Sequence, residues 1–187
     1  MKIFYIHGWA SSFDPSSNKV RDLEKLGDVE GRNIDYSKSF SLLSEILCMT
    51  IVGSGADMIV GTSLGGYWAA AIGSKLGVPF VAINPAVDPA TSLLSKEGKS
   101  RTYTGESITL TKEVISGYTP FSLDGCGLIL LDLGDEVFSS LETEKRLSPH
   151  YHVVTFNGGS HRFAHMAEAL NKIRQHEHIC GLAYGLD

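Results

Sequence analysis

The sequence is short of the features that mark disulfide-rich, nucleic-acid-binding and membrane proteins. It has only three cysteines, Cys48, Cys126 and Cys180, and no CxxC spacing, so we expect neither a disulfide framework nor a zinc site. Its 16 Lys and Arg are outnumbered by 21 Asp and Glu, and a net charge of −5 argues against nucleic acid or anionic lipid as a partner. No run approaches the roughly 18 apolar residues that a membrane span needs. We therefore expect a cytoplasmic protein that binds no metal.

What the sequence does contain is typical of an ordinary globular protein. Of its 187 residues, 43% are hydrophobic and 20% are charged, which is far from the composition of disordered chains. The length fits one domain, because domains usually run from about 50 to 250 residues. We predict a single domain over residues 1–187, acting as a monomer or a small homo-oligomer.

Two kinds of segment alternate along the chain. Short apolar runs rich in β-branched and aromatic residues are followed by longer stretches in which apolar residues recur three or four apart, the pattern of βαβ units. We predict an α/β fold with a doubly wound, mostly parallel sheet of about six strands, in the order 2-1-3-4-5-6, and helices on both faces. The predicted strands are Lys2–His7, Arg32–Tyr36, Asp57–Gly61, Val78–Asn84, Leu128–Leu133 and His152–Phe156. The predicted helices begin near Ser17 and Ser39, or span Ser63–Leu76, Ser139–Leu147 and His165–Gln175.

Residues 85–126 differ from the rest of the chain. They are rich in Ser, Thr and Gly and show no long periodic pattern. An excursion of this length in a compact domain is usually functional. We interpret it as a small cap or pocket wall inserted after the fourth strand.

The segment Gly61-Thr62-Ser63-Leu64-Gly65 has the pattern G-x-S-x-G. It follows an apolar strand and precedes a helical stretch, which is the context of a nucleophile elbow. Two glycines without Cβ atoms allow strand and helix to approach closely around Ser63. The pattern predicts Ser63 as a catalytic nucleophile, with the N–H of Leu64 as a donor to an oxyanion. The alternative is a glycine-rich turn in which the serine only caps a helix.

A second element, His7-Gly8-Trp9, lies at the end of the first strand. In a doubly wound sheet the ligand crevice lies where the strand order reverses, so this loop should flank the same cavity as Ser63. We predict the backbone N–H of Trp9 as the second oxyanion donor. His7 itself is more simply explained as a histidine satisfied by local hydrogen bonds.

An acid and a base follow the last two predicted strands. Asp135 comes just after Leu128–Leu133, and His161 follows the strand that ends at Phe156. The chain order Ser, acid, His is that of the hydrolase fold, and a serine hydroxyl needs a base that is oriented by a carboxylate. We predict Ser63, His161 and Asp135 as a catalytic triad. Glu136 or Asp132 could supply the acid instead, and His161 with His165 could share a helix face as metal ligands, although no third ligand is in view.

Several short motifs follow one another along the chain: Tyr5-Ile6-His7-Gly8-Trp9, Gly61-Thr62-Ser63-Leu64-Gly65-Gly66-Tyr67-Trp68, Asn84-Pro85-Ala86-Val87, Tyr103-Thr104-Gly105, Gly134-Asp135-Glu136-Val137 and Gly158-Gly159-Ser160-His161-Arg162-Phe163. Together they resemble the small bacterial esterases of the YqiA and YcfP kind within the α/β-hydrolase superfamily. The resemblance covers nearly the whole chain and implies esterase activity on short acyl or thioacyl substrates without a cofactor. It also implies that Ser63, Asp135 and His161 form the triad. The sequence departs from that pattern at 92–101 and 181–187, so substrate preference is the property that the resemblance predicts least well.

The expected reaction is two-step acyl transfer on a small ester or thioester. We expect an apolar acyl pocket of modest size, lined by Trp9, Tyr67 and residues of 85–126, with plain core packing as the alternative for both aromatic side chains. A catalytically silent binding protein on the same fold is one alternative function, and a thioesterase, peptidase or C–C hydrolase is another. A nucleotide site is not expected, because no Lys-Ser/Thr follows the glycines of 61–66 as a P-loop requires.

Overall fold

The computed structural model describes residues 1–102 and 105–184. Tyr103 and Thr104, which belong to one motif of the resemblance, lie outside the described residues, as does the end of the divergent tail, 185–187. The strands are β1 Lys2–Ile6, β2 Asp28–Gly31, β3 Met58–Thr62, β4 Phe80–Ile83, β5 Gly98–Arg101, β6 Ser107–Leu110, β7 Gly127–Asp132 and β8 His152–Phe156. The helices are α1 Asn18–Leu23, α2 Phe40–Ser54, α3 Leu64–Leu76, α4 Pro89–Ser92, α5 Lys112–Ser116, α6 Ser140–Leu147 and α7 Met166–Tyr184.

Six of these strands form one parallel sheet in the order β2-β1-β3-β4-β7-β8. The predicted α/β class and the strand order 2-1-3-4-5-6 are therefore confirmed. The chain reverses direction across the sheet between β1 and β3, so the loops after these two strands flank the crevice in which doubly wound folds bind ligands. Both loops carry residues of the predicted site.

The core lies on both faces of the sheet, which explains why its central strands are apolar throughout. In β7, Leu128 and Leu130 pack into one hydrophobic cluster, whereas Ile129 and Leu131 pack into the cluster on the opposite face. All four side chains are buried, because successive residues of a strand point to opposite faces. Such strands hold the carboxyl edge of the sheet rigidly, and the candidate site is built on that edge.

The second strand lies earlier in the chain than predicted. Arg32–Tyr36 was expected to form it, but β2 spans Asp28–Gly31 and the residues after it form a loop. That loop is apolar because it packs over the end of β1: the Ile34 N–H donates to His7 Nε2 at 2.9 Å, and the Tyr36 hydroxyl donates to the His7 carbonyl. The prediction was wrong because a buried loop and a short strand share the same hydrophobic pattern.

The helices begin at the predicted serines. Ser17, Ser39 and Ser139 each accept a hydrogen bond from a backbone N–H in the first turn of α1, α2 and α6, which satisfies one otherwise free donor. Only the end of α7 differs clearly, since the helix continues past Gln175 to Tyr184. No helix within the described residues combines the length and the hydropathy needed to cross a bilayer.

The excursion at 85–126 contains the short helices α4 and α5, a 3-10 turn at Leu94–Lys96 and an antiparallel hairpin of β5 and β6. Buried apolar side chains attach it to the core cluster that also contains Trp68. This packing, rather than periodicity within any one element, keeps the segment in place. The attaching side chains are Leu93, Ile108, Leu110, Ile115, Tyr118 and Phe121.

A disulfide joins Cys126, directly before β7, to Cys180 in α7. The expectation that the cysteines form no disulfide is therefore wrong. The two residues are 54 positions apart in the chain, and only the packing of α7 under the sheet brings them together, so no local spacing could reveal the pair. Cys48 is the free cysteine among the described residues.

We expect this disulfide to stabilise the fold, because it closes a long loop and so restricts the unfolded chain. Dithiothreitol should lower the free energy of unfolding in urea by about 2–4 kcal/mol in the wild type. It should have no such effect on Cys126→Ala, whereas Cys48→Ala should respond as the wild type does. Three reactive thiols in the denatured, unreduced protein, instead of one, would show that the bond is absent.

Candidate active site

Ser63 lies in a sharp turn between β3 and α3. Its backbone has φ 57° and ψ −121°, a conformation that is strained for a residue with a side chain. The two neighbouring glycines make the turn feasible: a Cβ on Gly61 would lie 2.0 Å from the Gly65 carbonyl oxygen, and one on Gly65 would lie 2.1 Å from that of Ile6. Larger residues at either position would push α3 away from β1 and β3. This is the geometry that G-x-S-x-G predicts.

Ser63, His161 and Asp135 form a continuous chain of hydrogen bonds. Ser63 Oγ is 2.9 Å from His161 Nε2, and His161 Nδ1 is 2.9 Å and 3.0 Å from the two carboxylate oxygens of Asp135. Ser63 makes no side-chain capping bond to α3, so the alternative in which it only caps the helix does not describe this turn. The Asp135 side chain is 2% exposed and the imidazole 19%, so the chain runs from the protein interior towards a pocket.

Asp135 is held in place by the backbone that follows it. Its Oδ1 accepts hydrogen bonds from the N–H groups of Val137 at 2.7 Å and Phe138 at 3.0 Å. Burial opposes ionisation of this carboxyl, but the His161 ring and these two amides outweigh it and lower the pKa of Asp135. The Phe138 ring also meets the imidazole edge to face at 5.0 Å, which fixes the plane of the imidazole.

The two other carboxylates considered for the acid position contact different groups. Glu136 accepts a hydrogen bond from the backbone N–H of His161 at 2.9 Å, and this bond lowers the pKa of Glu136. Asp132, the last residue of β7, is fully buried and bonds the loop that carries His161 rather than the ring itself. Of the three candidates, Asp135 is the one in contact with the imidazole.

Asp132 organises the loop 158–165. Its carboxylate accepts hydrogen bonds from the N–H groups of Ser160 at 3.1 Å and Ala164 at 2.7 Å, and from His165 Nδ1 at 2.7 Å. Asn84, at the end of β4, completes this network: its Oδ1 accepts from the Asp132 N–H, and its Nδ2 donates to the Ser160 carbonyl at 2.9 Å. Sequence reasoning missed both roles, although a polar residue at the end of each apolar strand was a signal.

The loop after β1 lies directly against the nucleophile. A Cβ on Gly8 would come within 3.2 Å of Ser63 Cβ, so the backbone of His7-Gly8-Trp9 borders the space around the serine hydroxyl. His7 is satisfied locally, as expected: Nε2 accepts from the Ile34 N–H, and Nδ1 is 2.8 Å from the Gly8 carbonyl oxygen. Burial lowers the pKa of His7 and keeps the ring neutral. Leu64 begins α3, so its N–H has no partner within the helix.

An open pocket of about 790 Å³ lies beside the Ser63 hydroxyl. Trp9 lines it, but Tyr67, which was also expected there, does not: that side chain is fully buried, and its hydroxyl donates to the Thr119 carbonyl. None of the described residues of 85–126 lines this pocket, so the expected pocket wall is formed by other parts of the chain. The lining is also more polar than expected. It consists of Tyr5, Gly8, Trp9, Ser11, Ser12, Asp14, Ser17, Asn18, Lys19, Asp22, Thr62, Ser63, His161, Arg162, Phe163, Ala164 and Met166.

Residues 2–177 match the family described as uncharacterised protein family UPF0227. The chain belongs to this family. A UPF0227 protein of Yersinia pseudotuberculosis serotype O:1b is 30% identical to it over 179 residues, covering 92% of this chain and 96% of the relative. A UPF0227 protein of Yersinia pestis bv. Antiqua shows the same identity and coverage. The resemblance drawn from the motifs is thereby confirmed.

Solved structures place the UPF0227 chain among α/β-hydrolase folds. Est1E from Butyrivibrio proteoclasticus superposes with a TM-score of 0.67 at 13% identity, covering 94% of this chain and 87% of the other. Mouse alpha/beta hydrolase domain-containing protein 10 gives a TM-score of 0.61 at 15% identity, with 100% and 90% covered. A monoacylglycerol lipase from Paleococcus ferrophilus gives 0.63 at 14% identity, with 97% and 93% covered. At these identities the likeness establishes the fold.

Side chains of the kinds that bind metal ions lie close together at one place in the described part of this UPF0227 chain. Cys126, His176 and Cys180 bring their ligand atoms within 4.8 Å of one another at the opposite edge of the sheet from Ser63, but the two sulfurs are bonded to each other. His161 and His165, considered above as a metal pair, each bond a separate carboxylate, Asp135 and Asp132. The first group is remote from the nucleophile, and the nitrogens of His161 and His165 that face these carboxylates are already engaged.

The Asp132–His165 pair should make stability depend on pH. The hydrogen bond from His165 to Asp132 raises the pKa of His165, so its contribution is complete below the ordinary histidine pKa of about 6.5 and is lost as pH rises through the folded-state value. His165→Asn keeps an N–H donor but cannot titrate. Between pH 5.5 and pH 9, the free energy of unfolding in urea should fall more for the wild type than for this variant.

Exposed His150 provides the control, since His150→Asn should keep the wild-type pH dependence. An NMR titration should place the pKa of His165 in the folded protein above the ordinary histidine value of about 6.5. Equal loss of stability in the wild type and in His165→Asn would contradict the assigned role of the pair.

Proposed function

We propose that this UPF0227 protein is a serine hydrolase that cleaves small acyl esters or thioesters through an acyl-enzyme intermediate. Ser63 is the nucleophile, His161 the general base and Asp135 the carboxylate that orients the imidazole. One observation carries the proposal: Ser63 Oγ, His161 and Asp135 are linked by hydrogen bonds of 2.9–3.0 Å beside an open pocket. A serine hydroxyl is a weak nucleophile unless such a base removes its proton.

In the first step, His161 Nε2 takes the hydroxyl proton while Ser63 Oγ attacks the carbonyl carbon of the ester. The carbonyl oxygen becomes an oxyanion, which accepts hydrogen bonds from the backbone N–H groups of Leu64 and Trp9. When the intermediate collapses, the bond to the alcohol or thiol breaks, and that leaving group takes the proton from His161. The acyl group is then bound to Ser63 as an ester.

In the second step, water replaces the alcohol or thiol in the same site. His161 takes a proton from the water, the hydroxide attacks the acyl carbon, and Ser63 leaves with the proton returned from His161. Asp135 stays ionised throughout, in keeping with its lowered pKa, and stabilises the imidazolium that forms in both steps. No cofactor is required, because all proton transfers use groups of the chain.

The comparisons support a hydrolase on this fold. Similar folds include the esterase domain of a Rhodothermus marinus protein and Est1E with bound ferulic acid. Because a fold hosts many functions, the weight rests on the hydrogen-bonded residues rather than on these names. Action on a small ester or thioester, without a preference between the two, and location in the cytoplasm belong to this proposal as expectations from the sequence.

Replacing Ser63 tests the proposal directly. Ser63→Ala should lower kcat on a 4-nitrophenyl ester by about 10⁴- to 10⁶-fold, because the three residues act as a unit. Its thermal unfolding should remain cooperative, and a fluorophosphonate probe should label the wild type but not the variant. Ser95→Ala, at an exposed serine remote from the pocket, should behave as the wild type in both assays.

Retained turnover and labelling in Ser63→Ala would refute the assignment of the nucleophile. A wild type that neither reacts with the probe nor turns over esters, thioesters or amides would instead identify a catalytically silent binding protein on the hydrolase fold.

A further inference from the structure

The pocket beside Ser63 contains a lysine that contacts the chain segments of both Ser63 and His161. Lys19, in α1, donates hydrogen bonds from Nζ to Thr62 Oγ1 at 3.3 Å and to the Arg162 carbonyl oxygen at 3.0 Å. Thr62 directly precedes Ser63, and Arg162 directly follows His161. The ammonium therefore bridges the two chain segments that carry the proposed nucleophile and base, and it lines the pocket.

This ammonium is not neutralised by direct contact with a carboxylate. A lysine ammonium has three N–H donors, and both recorded acceptors of Lys19 are neutral oxygens. Within residues 1–102 and 105–184, Lys19 takes part in none of the ion pairs closer than 4.0 Å. One N–H donor and the positive charge of the Lys19 ammonium therefore remain available to a bound molecule.

The carboxylates of the pocket are engaged elsewhere. Asp14 accepts hydrogen bonds from the N–H and the hydroxyl of Ser16, and Asp22 forms an ion pair with Lys25 at 2.6 Å. The buried Asp132 attracts Lys19 over a longer distance, but its oxygens bond the loop 158–165. None of these three carboxylates forms an ion pair with the Lys19 ammonium.

Partial burial makes the ammonium a stronger partner for an anion than an exposed lysine. Burial lowers the pKa of Lys19 to about 8, against the opposing attraction of Asp132, so at neutral pH the side chain is mostly charged but incompletely hydrated. An oxyanion that reaches it would replace the missing water, and charge-assisted hydrogen bonds are the stronger kind.

The leaving group must lie on the side of His161, from which it takes its proton, and Lys19 bonds the residue adjacent to His161. We propose that Lys19 directs the enzyme towards esters whose leaving group carries an oxyanion, either a carboxylate or a phosphate. The inference rests on the proposed function and names its substrate class. Hydroxyl groups of Ser11, Ser12 and Ser17 line the same pocket and offer further donors to such a group. A neutral, purely apolar leaving group would leave these polar groups and the ammonium without partners, at a cost in binding.

The test uses acetate esters that differ in the charge of the leaving group: 4-acetoxybenzamide, 4-acetoxybenzoate, 4-acetoxybenzylphosphonate and 4-acetoxybenzylammonium. In the wild type, kcat/KM for at least one anionic ester should exceed that for the amide by about tenfold, and the cationic ester should be poorest. The carboxylate and phosphonate arms distinguish the two oxyanions.

Lys19→Met should reduce kcat/KM for the preferred anionic ester about tenfold more than for the neutral amide, and Lys19→Arg should restore part of the preference. Lys172→Met, which removes an exposed lysine outside the pocket, should keep the wild-type ratio. An unchanged ratio in Lys19→Met, or equal loss on all four esters, would overturn the proposal.

Binding to the Ser63→Ala variant separates this inference from the proposed function. Calorimetry should show tighter binding of the preferred anionic ester than of the amide, and a further Lys19→Met substitution should abolish that difference. Equal binding of the two esters would refute the role of Lys19 even in an active enzyme. Selective binding without turnover by the wild type would refute the hydrolase and leave an anion-selective pocket.

Discussion

The arrangement of the candidate site depends on the buried carboxylate of Asp132. A carboxylate that is fully buried is costly unless its oxygens receive hydrogen bonds, and here the donors are two backbone amides of the loop 158–165 and the ring of His165. Meeting that requirement leaves the loop essentially one conformation, and this conformation presents His161 to Ser63. Asn84 ties the same loop to β4, so the imidazole is positioned from two neighbouring strands of the sheet.

The parallel sheet supplies the frame on which this network acts. Because β1, β3, β4, β7 and β8 run in the same direction, the residues just after each strand meet at one edge, although they are far apart in the chain. The strained backbone of Ser63 is tolerated there because Gly61 and Gly65 let α3 pack closely against β1 and β3. Rigid strands and close packing thus hold a hydroxyl, an imidazole and a carboxylate within hydrogen-bonding distance.

The fold and the three residues of the hydrogen-bonded chain could be predicted from sequence because each has a local signal. Apolar strands that are buried on both faces mark the sheet, and Ser63 and Asp135 each follow such a strand within a recognisable turn. His161 follows the partly exposed edge strand β8, whose residues are mostly β-branched or aromatic. β2 escaped prediction because an edge strand of Asp28–Gly31 is half exposed and lacks that signal. The disulfide of Cys126 and Cys180 escaped it because its geometry exists only once α7 has packed under the sheet.

Most of the residues that line the pocket could not be predicted from sequence patterns. An aromatic residue next to the nucleophile, Tyr67, was expected to contact the acyl group, yet the helical turn after Ser63 directs its ring into a cluster with Phe40 and Tyr118. Much of the lining comes instead from residues of 9–22, whose hydroxyl and charged side chains resemble an ordinary solvated surface in the sequence. The role of these residues depends on what they contact in the folded chain. Lys19 Nζ bonds both the segment of Ser63 and the segment of His161, so its charge lies close to any ligand that reaches Ser63. The lining of the pocket therefore depends on contacts that form only after folding, whereas the residues of the hydrogen-bonded chain follow the ends of strands that the sequence marks.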